Sequence, residues 1–519
     1  MSLQTNREPL AAGSRVHFDF HPLNSLGVKI GNLVTDSRMI KPGDTFLAYA
    51  GEKQDARMFI PNAIAAGANA VIWESQDFEW DSGWKVPNLK VSGLRAKVSI
   101  IADHVYGHPS RKLQLIGVTG TNGKTSCSHW IAQALTALGR KTAIIGTIGT
   151  GFPGELEPAI NTTPDAVLLQ RKIADFLSRA ACGVAMEVSS HGIAQERISG
   201  LTFAVAMLTN LSRDHLDYHG SMEAYAAAKA RLFFRPGLKC AVLNMDDAFG
   251  AALARRITAT GVHVVGYGFK ELQDLNQETL MVLQGRNLKT SSCGLDFDVE
   301  FDGGSVELKT GLLGDFNASN LLGVLATLLV SGIGLEEAAR ALQAVQPVAG
   351  RMEQFGGGDR PLIVVDYAHT PDAMERVLIT LRAILQSGAS QNAGTQRPRP
   401  RLICVFGCGG ERDRGKRPLM GEVATRLSDE VIITSDNPRR ENPDAIIGEI
   451  ASGATARFNV QEDREAAIER AVQCARRGDI VLIAGKGHEA YQEVDGQRLP
   501  FDDRTVVRQA LFGWAEANA

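Results

Sequence analysis

A three-domain α/β protein with doubly wound parallel sheets is the fold class this sequence predicts, and three observations predict it. Its 519 residues amount to about three domains of the usual size, roughly 150 residues each. Apolar runs of strand length alternate with stretches of helical periodicity, the pattern of parallel sheets covered by helices. The stretch GVTGTNGKTS, Gly117 to Ser126, lies between such a strand and such a helix, where the phosphate-binding loop of a central, P-loop-type doubly wound domain belongs.

Composition narrows the class. Hydrophobic content of 44% and charged content of 22% are those of a soluble globular chain. A net charge of −3 and a pI near 6.4 offer no global basic field, so no nucleic-acid partner is expected. No apolar run approaches the roughly 20 residues of a membrane span, so no membrane insertion is expected. The first residues, MSLQTNREPLAAGSR, hold no apolar h-region, so a cytoplasmic protein without a secretion signal is expected. The seven cysteines are odd in number and scattered, which fits reduced thiols. Cys404 and Cys408, a CxxxC at a strand, read as buried thiols rather than a metal site.

In chain order, residues 1–112 read as a small α/β domain. Thr35-Asp-Ser-Arg38 follows a short apolar stretch and reads as a polar turn. Lys41–Ala50 is a turn into a strand, an alanine-rich helix covers Phe59 to Gly67, and Val71-Ile-Trp73 is another strand. Gly107 to Ser110 marks the boundary.

The second domain, 113–348, opens on the apolar run Leu113–Val118. After the phosphate loop, Trp130, Ile131, Ala134, Leu135 and Leu138 recur at helical spacing. Further strands are expected at Lys141–Gly149, Cys182–Val188 and Phe203–Asn210. A helix is expected at Glu223–Phe234, and a meander of weak strands over 270–310. Gly314–Asn320 opens a long apolar helix. The third domain, 349–519, repeats the alternation with strands Pro361–Asp366, Arg401–Phe406, Asp429–Thr434 and Ile480–Ala484. Gln386 to Pro400 is of low complexity and reads as a loop.

The phosphate loop lacks the first glycine of GxxxxGK[ST], which would fall at Val118, and reads as the shorter TGTNGKT form. Gly120 and Gly123 free the backbone, so that successive N–H groups can hold phosphate oxygens. Lys124 places a cation near the β- and γ-phosphates, and Thr125 offers a hydroxyl to Mg²⁺. Glu187, at the end of another strand, is placed to be a second Mg²⁺ ligand. His191 and His215 fit metal ligands or structural hydrogen-bond donors equally. Lys229, on its helix, reads as a solvated lysine. Arg351, Arg412 and Arg439 each suit a bidentate clamp on carboxylate or phosphate, or an ordinary surface position. Asp366 and His369 flank a strand end, where a ribose or phosphate contact is reasonable. Because ligands collect beyond the carboxyl ends of parallel strands, the phosphate loop, Glu187 and Asn210–His215 are expected to converge.

The segments GTNGKT, EVSSHG, TNLSRDHLDYHG, GDFNASN, GRME, DYAHTPDA, FGCGGERDRGKRP, DNPR and AGKGHE occur here in one order. Together they closely resemble the Mur ligases of bacterial peptidoglycan synthesis, over nearly the whole chain from Thr35 to Glu489. The resemblance implies an N-terminal UDP-binding domain, a central ATPase domain and a C-terminal Rossmann-like domain, in a monomer. It implies an ATP-dependent ligation in two steps: phosphorylation of a D-glutamate carboxylate, then attack by an amine on the acyl phosphate. The implied substrates are UDP-N-acetylmuramoyl-L-Ala-D-Glu and meso-2,6-diaminopimelate.

Residue by residue, the resemblance puts ATP on Gly120, Thr121, Asn122, Gly123, Lys124, Thr125, Ser126, Asn317, Arg351 and Asp366. It counts Lys124, Lys229, Glu187 and His215 as catalytic. It makes Lys229 a CO₂-derived carbamate (N6-carboxylysine) able to hold a second Mg²⁺, which adds it to Thr125 and Glu187 as a metal ligand. The muramoyl peptide falls to Asn161, Thr162, Thr163, Ser189, Gln195 and Arg197. The uridine diphosphate falls to Thr35, Ser37, Glu52, Lys53 and Gln54, where Glu52-Lys-Gln54 departs from the usual histidine-containing loop. Diaminopimelate falls to Arg412, Asp436, Asn437, Pro438, Arg439, Gly485 and Glu489. DNPR accompanies diaminopimelate in the family because the second carboxylate of that amino acid needs a cation, and Glu489 suits an ammonium.

Two other readings use the same residues. One is a sister ligase with a different amino acid, or a folylpolyglutamate synthetase, and DNPR argues against it. The other is a non-catalytic nucleotide switch, which would need neither Glu187 nor the strand-end loops of the third domain.

Overall fold

The computed structural model describes residues 18–51, 54–271, 280–291, 293–390 and 399–517. Among the described residues the chain forms three large sheets and one two-stranded hairpin. The first has four parallel strands in sequence order: Leu33–Val34, Thr45–Ala48, Ala70–Glu74 and Asn88–Val91. Its inward positions, Phe46, Leu47, Val71 and Ile72, are fully buried. The helix Leu94–Val105 packs Leu94, Val98 and Ile101 onto it.

The central sheet has eleven strands. Its parallel middle runs His263–Gly268, Cys240–Asn244, Val205–Leu208, Gln114–Thr119, Gly183–Glu187, Thr142–Ile145. The weak-strand meander is Met281–Ser291, Gly294–Phe301 and Gly304–Thr310. Its first strand joins the middle in parallel and the other two extend it antiparallel. The parallel strands are apolar on both faces because helices cover both. Lys124–Ala137 and Asp315–Val330 cover one side through Trp130, Ile131, Leu321 and Leu325. Ala166–Ser178 and Ala248–Ile257 cover the other through Ile173, Phe176, Leu253 and Ile257.

The third sheet has six strands. Glu353–Gly356 pairs antiparallel with Leu362–Asp366, and Ile480–Ala484, Leu402–Phe406, Glu430–Ile433 and Asn459–Val460 follow in parallel. Helices again lie on both faces. A hairpin, Tyr491–Val494 with Gln497–Pro500, stands beside it.

Three local expectations change, while the buried-thiol reading of Cys404 and Cys408 stands. The helix begun at Pro371 continues to Ser390, into the stretch expected to be loop, and 391–398 lie outside the described residues. Helical phase kept up through Leu378, Leu381 and Leu385 buries one face of it and carries the helix on. The Glu223–Phe234 helix is α-helical only over Met222–Ala230 and tightens to a 3₁₀ turn at Arg231–Phe234. The alanine-rich helix of the first domain is shorter than expected, Ile60–Ala65. Cys404 and Cys408 are buried free thiols. Among the described residues no helix is long and apolar enough to cross a membrane.

Candidate active site

The strand Gln114–Thr119 is central in its sheet, and the loop Gly120–Gly123 leaves its carboxyl end for the helix Lys124–Ala137. Gly120 has φ +144°, and a Cβ there would lie 1.9 Å from Thr209 Oγ1, so the loop can fold onto the next strand end only with glycine. Asn122 is held from the same side: its N–H donates to Asn210 Oδ1 at 3.0 Å, and its carbonyl accepts from Thr209 Oγ1 at 2.6 Å.

Lys124 closes that loop. It is the first residue of the helix, half-buried, and its Nζ donates to the carbonyls of Gly120 (3.0 Å) and Thr121 (2.7 Å). Burial pulls its ammonium below the ordinary range, against the opposing pull of Glu187 and Asp214.

The adjacent strand end brings in Glu187, whose carboxylate is fully buried. Thr125 Oγ1 donates to its Oε2 at 3.0 Å, and Thr147 donates through its amide (2.7 Å) and hydroxyl (3.0 Å). A carboxylate and a hydroxyl so joined form an oxygen-donor pair at the floor of a cavity of about 260 Å³. Asn210, His215 and the phosphate loop reach the same cavity, so the expected convergence occurs.

Lys229 lies against the same loop, not in solvent. It is 1% exposed, its Nζ donates to Gly120 O at 2.7 Å, and it sits 4.5 Å above the Tyr225 ring. The run of alanines on its helix lets the helix approach closely enough to bury it. Burial, with the nearby Lys124 charge, holds its amine well below the ordinary lysine range. His215, in the left-handed region at φ +54°, stacks edge-on to His191 at 4.8 Å and lies 3.4 Å from Asp214. Burial lowers its imidazole despite the Asp214 charge.

The third domain closes the cavity. Arg351 lies 4.4 Å over Tyr367, and its Nη2 donates to Thr125 Oγ1 at 3.2 Å. Asp366 lines the wall, and each carboxylate oxygen accepts a backbone N–H, from Met352 (2.7 Å) and Ala368 (2.8 Å). Burial raises its carboxyl. Asn317 donates to Leu313 O at 2.7 Å and accepts from Asn320 at 3.1 Å. Ser126 is buried in the same wall.

A second wall is knitted beside Glu187. Thr163 Oγ1 donates to Glu187 O (2.9 Å) and accepts from Ser189 N (3.0 Å). Thr162 Oγ1 meets Thr147 Oγ1 at 3.0 Å, and Ser189 caps the helix Ser190–Ala194. Arg197 reaches Thr163 O and the Gln195 side chain, while Asn161 is exposed and does not line the cavity. Thr35, Ser37 and Gln54 stand apart from this cavity, at strand ends and turns of the first domain. Asp36, between the first two, is tied to Arg38 by side-chain bonds of 2.9 and 2.6 Å. Glu52 and Lys53 lie outside the described residues.

The strand ends of the third sheet gather the last group. Asn437 Nδ2 donates to Glu489 Oε2 at 2.8 Å, and Lys486 Nζ donates to Asn437 Oδ1 (3.0 Å) and Glu489 Oε2 (3.3 Å). Arg439 is in the left-handed region at φ +54°. Its backbone is hooked onto the hairpin, with its N–H donating to Glu493 O and its carbonyl accepting from Asp495 N. Its Nη1 donates to Gly410 O at 2.6 Å, and its Nε lies 3.2 Å from the Glu493 carboxylate. The guanidinium therefore has a resident anion, which the sequence argument lacked. Gly485 faces the Asp436 carboxylate, Pro438 is buried, and Arg412 is exposed beside Gly409.

Sequence reasoning missed Thr147, Tyr225, Asn320, Asp372, Lys486 and Glu493. Lys486 follows the predicted strand Ile480–Ala484, so the strand-end rule could have found it, whereas Thr147 fell inside the strand expected at Lys141–Gly149 and lies beyond the strand end only because that strand stops at Ile145. Tyr225 and Glu493 carry no such signal.

Comparison with known proteins agrees across the chain. Three family descriptions match in order: "Mur ligase family, catalytic domain" over 29–106, "Mur ligase middle domain" over 118–328 and "Mur ligase, glutamate ligase domain" over 350–487. The chain is 56% identical over 496 residues, 95% of each chain, to a protein of Nitrosomonas europaea named UDP-N-acetylmuramoyl-L-alanyl-D-glutamate–2,6-diaminopimelate ligase. It is 50% identical to the Chromobacterium violaceum protein of the same name, over 95% of this chain and 97% of that one. A solved structure of that name matches with a TM-score of 0.65 and 35% identity, over 94% of this chain and 95% of the other.

Proposed function

The chain belongs to the Mur ligase family, and we propose on that premise that it joins meso-2,6-diaminopimelate to UDP-N-acetylmuramoyl-L-Ala-D-Glu in an ATP-dependent ligation. The product is the UDP-muramoyl tripeptide of peptidoglycan synthesis, with ADP and phosphate released. The single observation that carries the reading is the Thr125–Glu187 pair, 3.0 Å apart on the floor of a cavity walled by both the phosphate loop and the third domain. A nucleotide held there by the second domain faces an amino-acid site on the third.

A carboxylate acylates poorly until a leaving group is attached. The D-glutamate side-chain oxygen attacks the γ-phosphorus and ADP departs. The amine nitrogen of the amino acid then attacks the acyl carbon, and the tetrahedral adduct expels phosphate. Lys124 and Arg351 set positive charge against the phosphoryl group as its charge redistributes. The donor set fits Mg²⁺, because hydroxyl and carboxylate oxygens are hard ligands. Among the described residues no cluster of three His, Cys, Asp or Glu stands ready for a metal, and Mg²⁺ commonly completes its shell with phosphate oxygens and water. Thr125 and Glu187 would hold the ion, which supplies charge neutralisation at the transferring group.

Lys229 fits the carbamate role. Burial holds its amine well below the ordinary lysine range, which favours the unprotonated form that attacks CO₂ with its lone pair and loses a proton, leaving a carboxylate on nitrogen. That carboxylate would hold a second Mg²⁺. Arg439 is proposed to take the far carboxylate of diaminopimelate, while Asp436 and Glu489 face its ammonium groups. Thr35, Ser37 and Gln54 are proposed to meet the uridine diphosphate.

Phosphate release measured with the UDP-muramoyl dipeptide and each candidate amino acid in turn tests the reading. Release with meso-diaminopimelate and not with lysine is expected. Equal release with no amino acid present would leave only a nucleotide hydrolase.

A further inference from the structure

Asp372 is the second residue of the helix Pro371–Ser390, and beyond its pair with Arg376 one turn on, it reaches outside that helix. Thr370 Oγ1 accepts from the Ala373 amide at 3.3 Å, so the helix start is already capped. The Asp372 carboxylate turns the other way, into the second domain. Its Oδ2 accepts from Asn122 Nδ2 at 3.1 Å and from Ser212 Oγ at 3.0 Å. Those two donors sit on different loops, the phosphate loop and the loop after Val205–Leu208. The loops are themselves tied together, Ser212 N donating to Thr121 Oγ1 at 2.9 Å. A carboxylate beside a triphosphate site repels the ligand unless its charge is offset, and Arg376 Nε lies 3.1 Å from Oδ1. The same helix turn then supplies Ala373, Arg376 and Val377 to the cavity wall.

We propose that Asp372 is a positioning residue: its carboxylate clasps the phosphate loop and the Ser212 loop to the third domain, so that the activated carboxyl group and the incoming amine are held in one closed cavity. The proposal rests on the ligase reading above. The clasp touches neither substrate. It acts by fixing how the amino-acid site of one domain faces the phosphoryl site of another, where a displacement of about 1 Å costs about 100-fold in rate.

The test is steady-state kinetics of the full chain, with thermal melting as a control, for Asp372→Ala, Asp372→Asn, Ser212→Ala and the double variant Asp372→Ala/Ser212→Ala. Asp372→Ala is expected to lower kcat about 10- to 100-fold, with KM for ATP within about threefold and Tm close to wild type. Asp372→Asn, which keeps one acceptor oxygen, should recover part of the loss. The double variant should be no worse than Asp372→Ala alone, because both changes break one contact. Normal kcat in Asp372→Ala, strictly multiplicative effects with Ser212→Ala, or a loss matched by a collapse in Tm would each overturn the clasp. If wild type itself releases no phosphate with diaminopimelate, the ligase reading fails instead, and the two failures are distinct.

Discussion

Two side chains carry most of the chemistry in their surroundings rather than their type. Lys229 is enclosed by Gly120, Tyr225 and the neighbouring Lys124, and a second positive charge there is opposed by both burial and repulsion. Native mass spectrometry under conditions that keep carbamates should find about 44 Da added at Lys229, the mass of CO₂, a change from cation to anion. Lys229→Ala should be nearly inactive and regain turnover with added acetate or formate. An unmodified Lys229 in fully active enzyme would sink the assignment. Arg439 is held at Nη1 by Gly410 and at Nε by Glu493, so lysine would not leave it without a partner. Discrimination then rests on what the substrate's far carboxylate adds, at Arg439 and the nearby Arg412. A charge-assisted pair in a half-dry pocket is worth about 2–4 kcal/mol, or roughly 30- to 1000-fold. Arg439→Ala should raise KM for diaminopimelate by that factor and leave KM for ATP nearly unchanged. Arg439→Lys should recover only part, lacking the planar fork. Unchanged diaminopimelate kinetics in Arg439→Ala would remove Arg439 from the site.

At the scale of elements, the strand ends set the spacing of the metal pair. Gly183–Glu187 pairs in register with Gln114–Thr119, Glu187 opposite Val118, and the carboxylate meets Thr125 Oγ1 at 3.0 Å at the start of the following helix. On the other side, Thr142–Ile145 ends at Gly146, where a Cβ would meet Glu187 Oε1 at 2.2 Å. No left-handed backbone is involved, so Gly146→Ala acts through the carboxylate alone. The variant should fold, bind nucleotide in the absence of Mg²⁺ like wild type, and require a Mg²⁺ concentration raised by about tenfold or more for half-maximal turnover, the loss expected for a displaced ligand or its support. An unaltered Mg²⁺ requirement would argue that Glu187 does not hold the metal.

At the scale of the whole molecule, the junction of the second and third domains buries neutral histidines around Arg351. Burial pushes His129 and His369 down to about 4 and His488 to about 3, with the Arg351 charge adding to each. His129 Nε2 and His488 Nδ1 have no hydrogen-bond partner among the described residues. An unfolded histidine takes up its proton near pH 6.5. Between that value and the folded ones the unfolded chain binds more protons, so stability is full above about pH 6.5 and is lost as the pH falls toward 4. Each such histidine contributes at most about 1.4 kcal/mol per pH unit to the slope. Urea unfolding at pH 7 and pH 5 should show the loss, and His129→Gln should flatten it. A slope unchanged in His129→Gln would mean the junction takes up its protons elsewhere.

The sequence by itself determined the elements and the ends at which chemistry collects. A glycine-rich loop between an apolar strand and a periodic helix can be read locally, because turn chemistry and hydrophobic period act over a few residues. The order of the short motifs then pointed to the family. It could not show that Lys229 is buried, because the face of an alanine-rich helix that meets the phosphate loop is fixed by sheet order, not by its own periodicity. Nor could it pair Arg439 with Glu493, or Asn122 with Asp372, since those contacts join segments brought together only when hairpin, sheet and domains pack. Tertiary structure alone decided the proton affinities, because the Lys229 amine and the junction histidines fall below their ordinary ranges only once neighbouring segments have taken their water away.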